Sequence, residues 1–546
     1  FPSLLSHTSS TMRTRIFGLA LIILLAASGA WAQTEAPEAF VTLFNETVPE
    51  FDPHRSIYSS EAQIFTALYE GLVSYDPATL EPVPGAASSW KKSKDGKVYT
   101  FTLREGLRWS DGSRLVAADF RDTWLRLLGM NAQYAAFFDV VSGAADYRLK
   151  KNADPSSVGI AALDDRTLVV TLNRPVAYFT RLLCHHAFSP AHPSMLKADD
   201  WAGRIPFPVN GPYRFVSMAA DKLVLERNPE YWDAASVAIP KLEFLFTDDD
   251  DTATMLFNGE EAHWLAGPGN YDEILLSSAI QLNPIFATSY WYFNCSEAPW
   301  NNAAVRRALA LLLPWKEIRD ESRYQAPATT LVLPLPGYSK AKGIESPDRD
   351  EALKLLAQAG FPEGAGLPPM NIYFADGKDA KRIAALMQVA WKALPSLKVN
   401  LMPISGARYY GTVAGPDRQP GITIAHSTWI GDFADPEAFL QMWMPDSPLN
   451  DARFSDPAFS AAIAKSYEAE GKERMTLLAE AETYLLQNAV VMPIYHSFAA
   501  SVIDSDYIEG WYQNALDIHP YKYLKFGTPS IGPNVAKAGA PADAKL

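Results

Sequence analysis

One apolar run lies near the start of this chain, and none of membrane-spanning length follows it in the 514 residues from Gln33 to Leu546. Ile16 to Ala27 is a stretch of about a dozen apolar residues behind Arg13 and Arg15, shorter than the roughly 20 needed to cross a bilayer. Ala30-Trp31-Ala32 then places small residues at the two positions a signal peptidase reads. Residues 1–32 are therefore expected to be a leader and cleavable signal peptide, with residues 1–11 set aside as sequence upstream of Met12 and Gln33 as the mature start. No cysteine stands near the cleavage point, so a lipid anchor is not expected. The mature chain is expected to be exported and soluble.

A chain of that length exceeds a single core, and two or three domains are expected. The net charge is −14, and loss of the two leader arginines makes the mature chain more acidic still. That balance argues against nucleic acid, whose binding needs basic patches, and against anionic membrane surfaces. The two cysteines, Cys184 and Cys295, could pair after export or stand as separate buried thiols; two are too few for a disulfide-stapled scaffold.

Strand and helix patterns alternate, which indicates an α/β fold. Val98–Leu103 and Thr167–Leu172 carry β-forming runs, and Lys94-Asp95-Gly96-Lys97 has hairpin-turn chemistry. Leu242–Phe246 reads as a strand, and Tyr290–Asn294 as another, with a domain boundary just before it. Helices are expected over 118–128, buried through Phe120 and Trp124, and over 301–313, with Arg306 and Arg307 on its polar side. Further helices are expected over 348–360, 381–393 and 472–487.

Catalytic patterns are sparse. Gly-x-Ser-x-Gly, His-Glu-x-x-His and a phosphate-binding glycine loop are all missing from the sequence. Ser-x-x-Lys occurs at Ser88–Lys91 and Ser89–Lys92 without the partner motifs of a serine hydrolase. His185, His186 and His192 cluster near Cys184, but without zinc-site spacing, and they read as core or surface histidines. Asp248 to Asp251 lack calcium-loop spacing, and helix capping explains them more simply. No cofactor, metal site or catalytic residue is expected.

The segment Ser427-Thr428-Trp429-Ile430-Gly431-Asp432-Phe433-Ala434-Asp435-Pro436, continuing to Leu440, resembles a signature of the bacterial extracellular solute-binding proteins of family 5. Leu68–Leu72, Leu103–Gly112, Asn210–Tyr213, Leu225–Asp233, Asn302–Ala308, Leu355–Phe361 and Met492–Tyr495 resemble further family blocks, in the family's order. Oligopeptide-binding members of peptide ABC importers are the nearest in pattern.

The resemblance implies an α/β, two-lobed clamp of three domains. Residues 33–75, 190–285 and 500–527 would form one discontinuous lobe, with 76–189 inserted in it. Residues 286–499 would form the second lobe, and 528–546 a disordered tail. It also implies a monomeric periplasmic protein, not an enzyme, that encloses a short peptide between the lobes and passes it to a membrane permease. The peptide backbone would pair with Ser427, Thr428, Trp429, Ile430 and Gly431, and on the opposite lobe with the stretch Ser56 to Ser60, Tyr58 and Ser59 among it. Asp432 would take the free α-ammonium, while Asp435 caps the following helix. Trp429, Tyr495 and the run Tyr290-Trp291-Tyr292 are candidates for pocket wall or core, whereas Trp109 and Tyr69 read as core. The sequence departs from some relatives at His426, where an arginine helps receive the peptide carboxylate; Arg408 and Arg418 are alternatives. Other family ligands (nickel chelates, haem, sugars, opine-like compounds) and a chaperone-like peptide holder are the rival readings.

Overall fold

Two long antiparallel strands, Ile280–Phe293 and Val491–Ile503, organise the chain. Both are dense in β-branched and aromatic residues, and most of their side chains are buried, as in a strand covered on both faces. The computed structural model describes residues 37–528 except 45–49, 57, 177, 199–200, 268, 320–324, 336, 416–417 and 434. The expected signal peptide and all but the first residue of the expected tail lie outside the described residues.

Around the two long strands runs one continuous mixed sheet. On one side of them lie Ile424–Ile430, Met370–Ala375 and Val399–Ile404. On the other lie Trp264–Ala266, Phe40–Phe44, Lys241–Phe246, Lys222–Arg227 and Tyr213–Met218. The fold is thus a mixed α/β clamp of two lobes joined through shared strands. The boundary expected just before Tyr290 falls inside a single strand. The pairing of the two long strands breaks between Pro284 and Thr288, where proline has no N–H to give the ladder. Beyond the break, the Phe286 N–H turns to the Ala515 carbonyl at 2.6 Å.

A separate antiparallel sheet, in the order Ala87–Lys92, Val98–Leu103, Thr167–Thr171, Ile160–Ala162, packs under the helix Ala117–Met130. Gly96 takes φ +72° in the hairpin between its first two strands, a conformation costly for other residues. The helix buries Phe120, Trp124, Leu127 and Leu128, the face its 3.6-residue period sets inward. Asp249 caps the helix Asp250–Asn258 by accepting the Thr252 N–H at 3.0 Å. Asp348 does the same for Arg349–Gln358.

One helix side chain departs from its sequence reading. Arg306, expected on the polar side of its helix (Ala303–Leu311), is 2% exposed. Its guanidinium donates to the carbonyls of Trp300 and Asn488, which anchors a helix end that apolar contacts alone would leave unsatisfied. The cysteines are free thiols, Cys184 against the Ser74 carbonyl and Cys295 against that of Phe293.

Candidate ligand-binding site

The strand Ile424–Ile430 is where the sheet opens. One neighbour, Ile280–Phe293, pairs with its whole length, from Phe293 opposite Ile424 to Ala287 opposite Ile430. The other, Met370–Ala375, pairs only with Ile424 and Ala425. Past Ala425, the Tyr409 hydroxyl sits against both main-chain groups of His426, 2.7 Å from its oxygen and 2.9 Å from its nitrogen. Main-chain groups alternate sides along a strand. Since His426 faces the free side, so do Thr428 and Ile430, whereas Gly431 faces inward and donates to the Phe286 carbonyl at 2.8 Å. The result is an open strand edge carrying the N–H and C=O groups of Thr428 and Ile430.

That edge borders a cavity of about 370 Å³, within the range of small-ligand sites. Ser427, Thr428, Trp429, Ile430, Gly431 and Asp432 form one wall. Tyr58 and Ser59, at the start of the helix Ser59–Leu68, stand on another. Gly431 is required by close packing: a Cβ there would come within 2.5 Å of the Phe286 ring and 2.9 Å of Phe439. The Trp429 indole is fixed by its N–H, which donates to the Ala438 carbonyl at 2.8 Å.

Asp432 lies just past the open edge, with a side chain only 8% exposed. Its Oδ1 is 3.0 Å from His185 Nε2, while Oδ2 is buried without a hydrogen-bond partner among the described residues. His185 Nδ1 accepts the Ala187 N–H at 3.3 Å, which assigns the ring proton to Nε2. The imidazole therefore donates to Asp432 without cancelling its charge. A carboxylate so enclosed, with one oxygen unmet, is suited to a cationic donor. The phenols of Tyr75 and Tyr134 beside it are both pushed well up, chiefly by burial and further by the Asp432 charge. Asp435 plays the capping part: its Oδ1 accepts the Glu437 N–H at 3.0 Å, and Arg474 pairs with it at 2.8 Å.

Two expected site residues are placed elsewhere. His426 stands directly opposite Trp291 in the strand register, packs on that ring, and has its Nε2 2.8 Å from Ser289 Oγ. Burial of the ring pushes it down to about 4, so it is a neutral, partly buried histidine rather than an anion receiver. Tyr495 is 2% exposed; its hydroxyl donates to the Ile318 carbonyl at 2.9 Å and accepts from Arg382 at 2.8 Å. Of the aromatic run, Tyr290 reaches the cavity, whereas Trp291 and Tyr292 are core. Tyr69, read as core, is buried and also borders the cavity. Arg408 is exposed, and Arg418 spends its guanidinium on the Asp451 carbonyl and Asn294. Sequence reasoning missed His185, Tyr134, Asp451 and the Glu70–Lys522 pair (2.9 Å) on the cavity wall. The cluster of histidines around Cys184 was the trace of His185 in the sequence, and the block Leu68–Leu72 that of Glu70.

Contacts outside the cavity lining hold segment 76–189 against segment 286–499. Arg174 pairs with Glu437 at 2.9 Å, and Arg474 pairs with the same carboxylate at 2.8 Å. Tyr178 stacks on Phe433 at 4.5 Å, and Arg174 lies 3.9 Å over the Tyr467 ring.

Known proteins share this architecture. The chain is 30% identical over 528 residues to the periplasmic oligopeptide-binding protein OppA of Salmonella typhimurium, covering 90% of this chain and 94% of that one. The structure of Haemophilus influenzae OppA in complex with RPPGFSPFR superimposes with a TM-score of 0.80 at 25% identity, covering 90% of this chain and all of that one. The murein tripeptide binding protein MppA of Escherichia coli has the same fold, at TM-score 0.80 and 24% identity over 90% of this chain and 99% of that one. The family described as bacterial extracellular solute-binding proteins, family 5 Middle, matches residues 81–451. With the shared-strand clamp and its open-edged cavity, these matches place the chain among the bacterial extracellular solute-binding proteins of family 5.

Proposed function

We propose that this protein captures short peptides in the cavity and delivers them to the permease of an ABC importer, working as a periplasmic monomer without chemistry of its own. The observation that carries the reading is Asp432: a buried carboxylate with one oxygen unmet among the described residues, at the end of a strand edge that Met370–Ala375 leaves unpaired past Ala425. A peptide offers both complements, a main chain for the edge and an α-ammonium for the carboxylate. Neither contact depends on side chains. Binding of peptides by the similar OppA proteins, and the apolar run with its cleavage pattern at the start of this chain, support the ligand class and the compartment.

The test is a thermal shift on protein unfolded and refolded to remove bound ligand, with a free tripeptide and its N-acetylated form. A ligand at a hundred times its Kd stabilises the fold by about 2.7 kcal/mol. Stabilisation by the free peptide alone supports the ammonium site. A folded protein that responds to neither, nor to dipeptides or longer peptides, overturns the peptide reading and turns attention to other family solutes.

A further inference from the structure

The charges on the cavity wall do not balance. Among the described lining residues, Glu70, Asp432 and Asp451 are carboxylates, whereas Lys522 is the one ammonium and no guanidinium takes part. Lys522 is committed to Glu70 at 2.9 Å. A peptide ammonium would answer Asp432. Asp451 is then left without a salt-bridged side chain among the described residues, although Arg418 and Arg453 stand near it.

Its surroundings sharpen the point. Asp451 Oδ1 accepts the Gly415 N–H at 2.9 Å, and no ion pair to the carboxylate occurs among the described residues. Arg418 and Arg453 stand near, but hydrogen-bond to the carbonyls of Asp451 and Gly415 respectively. Burial pushes Asp451 up to about 6, opposed by the Gly415 N–H and by both arginines, so its charge is incompletely compensated. Tyr290 and Tyr410 border the cavity beside it, and Tyr58 reaches across from the opposite wall to meet Tyr410 edge-on at 5.9 Å. A carboxylate among aromatic rings is the environment in which a desolvated ammonium or guanidinium is most favoured, through ion pairing and cation–π attraction together.

We propose that Asp451, with Tyr58, Tyr290 and Tyr410, forms a subsite for a cationic side chain of the bound peptide. This rests on the peptide reading above and deepens it: the main-chain edge and Asp432 accept any peptide, and Asp451 ranks them in favour of lysine or arginine. Tyr290 pairs in register with Ser427, five residues before Asp432 on a strand that rises about 3.3 Å per residue, so the favoured side chain lies beyond the first residue.

The test is calorimetric titration of refolded protein with tetraalanine and with variants carrying lysine, or its uncharged near-isostere norleucine, at position two, three or four. At one position lysine should bind at least tenfold more tightly than norleucine, equivalent to about 1.4 kcal/mol. Asp451→Asn, which keeps an oxygen for the Gly415 N–H, should bring that ratio close to one. Tetraalanine binding with equal lysine and norleucine affinities at every position overturns the subsite and leaves the peptide reading standing. A lysine preference that survives Asp451→Asn also overturns it. If no peptide in the series binds, both readings fall.

Discussion

Replacing Asp432 with asparagine isolates one charge. The amide oxygen can still accept the His185 Nε2–H that Oδ1 accepts at 3.0 Å, so the ligand-free protein should lose less than about 1 kcal/mol of stability. The bound state differs. A peptide ammonium meeting Oδ2, which no described residue satisfies, would make a charge-assisted bond in a site where the side chain is 8% exposed. Removing the charge from such a pair costs about 2–5 kcal/mol. A value of about 3 kcal/mol within that range corresponds to a loss of affinity of roughly 150-fold. The assay is a cycle of four titrations, wild type and Asp432→Asn against a tripeptide and its N-acetylated form. Acetylation should weaken binding to the wild type by two orders of magnitude and leave binding to the variant little changed, giving a coupling near 3 kcal/mol. Equal weakening of both peptides by the substitution, or a loss below threefold for the free one, would show that Asp432 does not read the ammonium.

Acid should destabilise the fold. Burial holds His54, His263, His426 and His496 down at about 4. The unfolded chain takes up protons near pH 6.5 and the folded one does not, so stability is lost as pH falls from 6.5 towards 4, by about 2 kcal/mol per histidine at pH 5. Glu482 and Asp451, raised by burial to about 7 and 6, act in the opposite sense and offset part of this. Urea midpoints at pH 7 and 5 should fall in the wild type and fall less in His426→Gln; identical falls would refute the assignment. Glu437 is 1% exposed between Arg174 and Arg474, so Arg174→Met removes a contact between segments 76–189 and 286–499 while Arg474 keeps the carboxylate paired. Small-angle scattering should show a more expanded ligand-free protein, and peptide affinity should drop several-fold; no change in either would remove the pair from the closing of the clamp.

Much of the local structure was legible in the sequence because its causes are local. Val98–Leu103 is a strand over the residues its alternation marks, and Asp249 caps a helix because its side chain and the Thr252 N–H are three residues apart. The segment Ser427–Asp432 stood out in the sequence as a family signature, and all six residues border the cavity. Its edge, however, is open only because Met370–Ala375 stops pairing at Ala425, a fact of strand length and register that no composition encodes. The same register set His426 against Trp291 and removed it from the site. His185 reaches Asp432 from 247 residues away, and Tyr58 meets Tyr410 from 352. Neither lies in a periodic pattern, since a turn residue's direction is fixed by the elements that flank it. The sequence by itself determined the strands, the caps and the residues able to carry charge. The tertiary structure decided which of those charges face one another, because Coulomb energy depends on separation in space and the chain records only separation along itself.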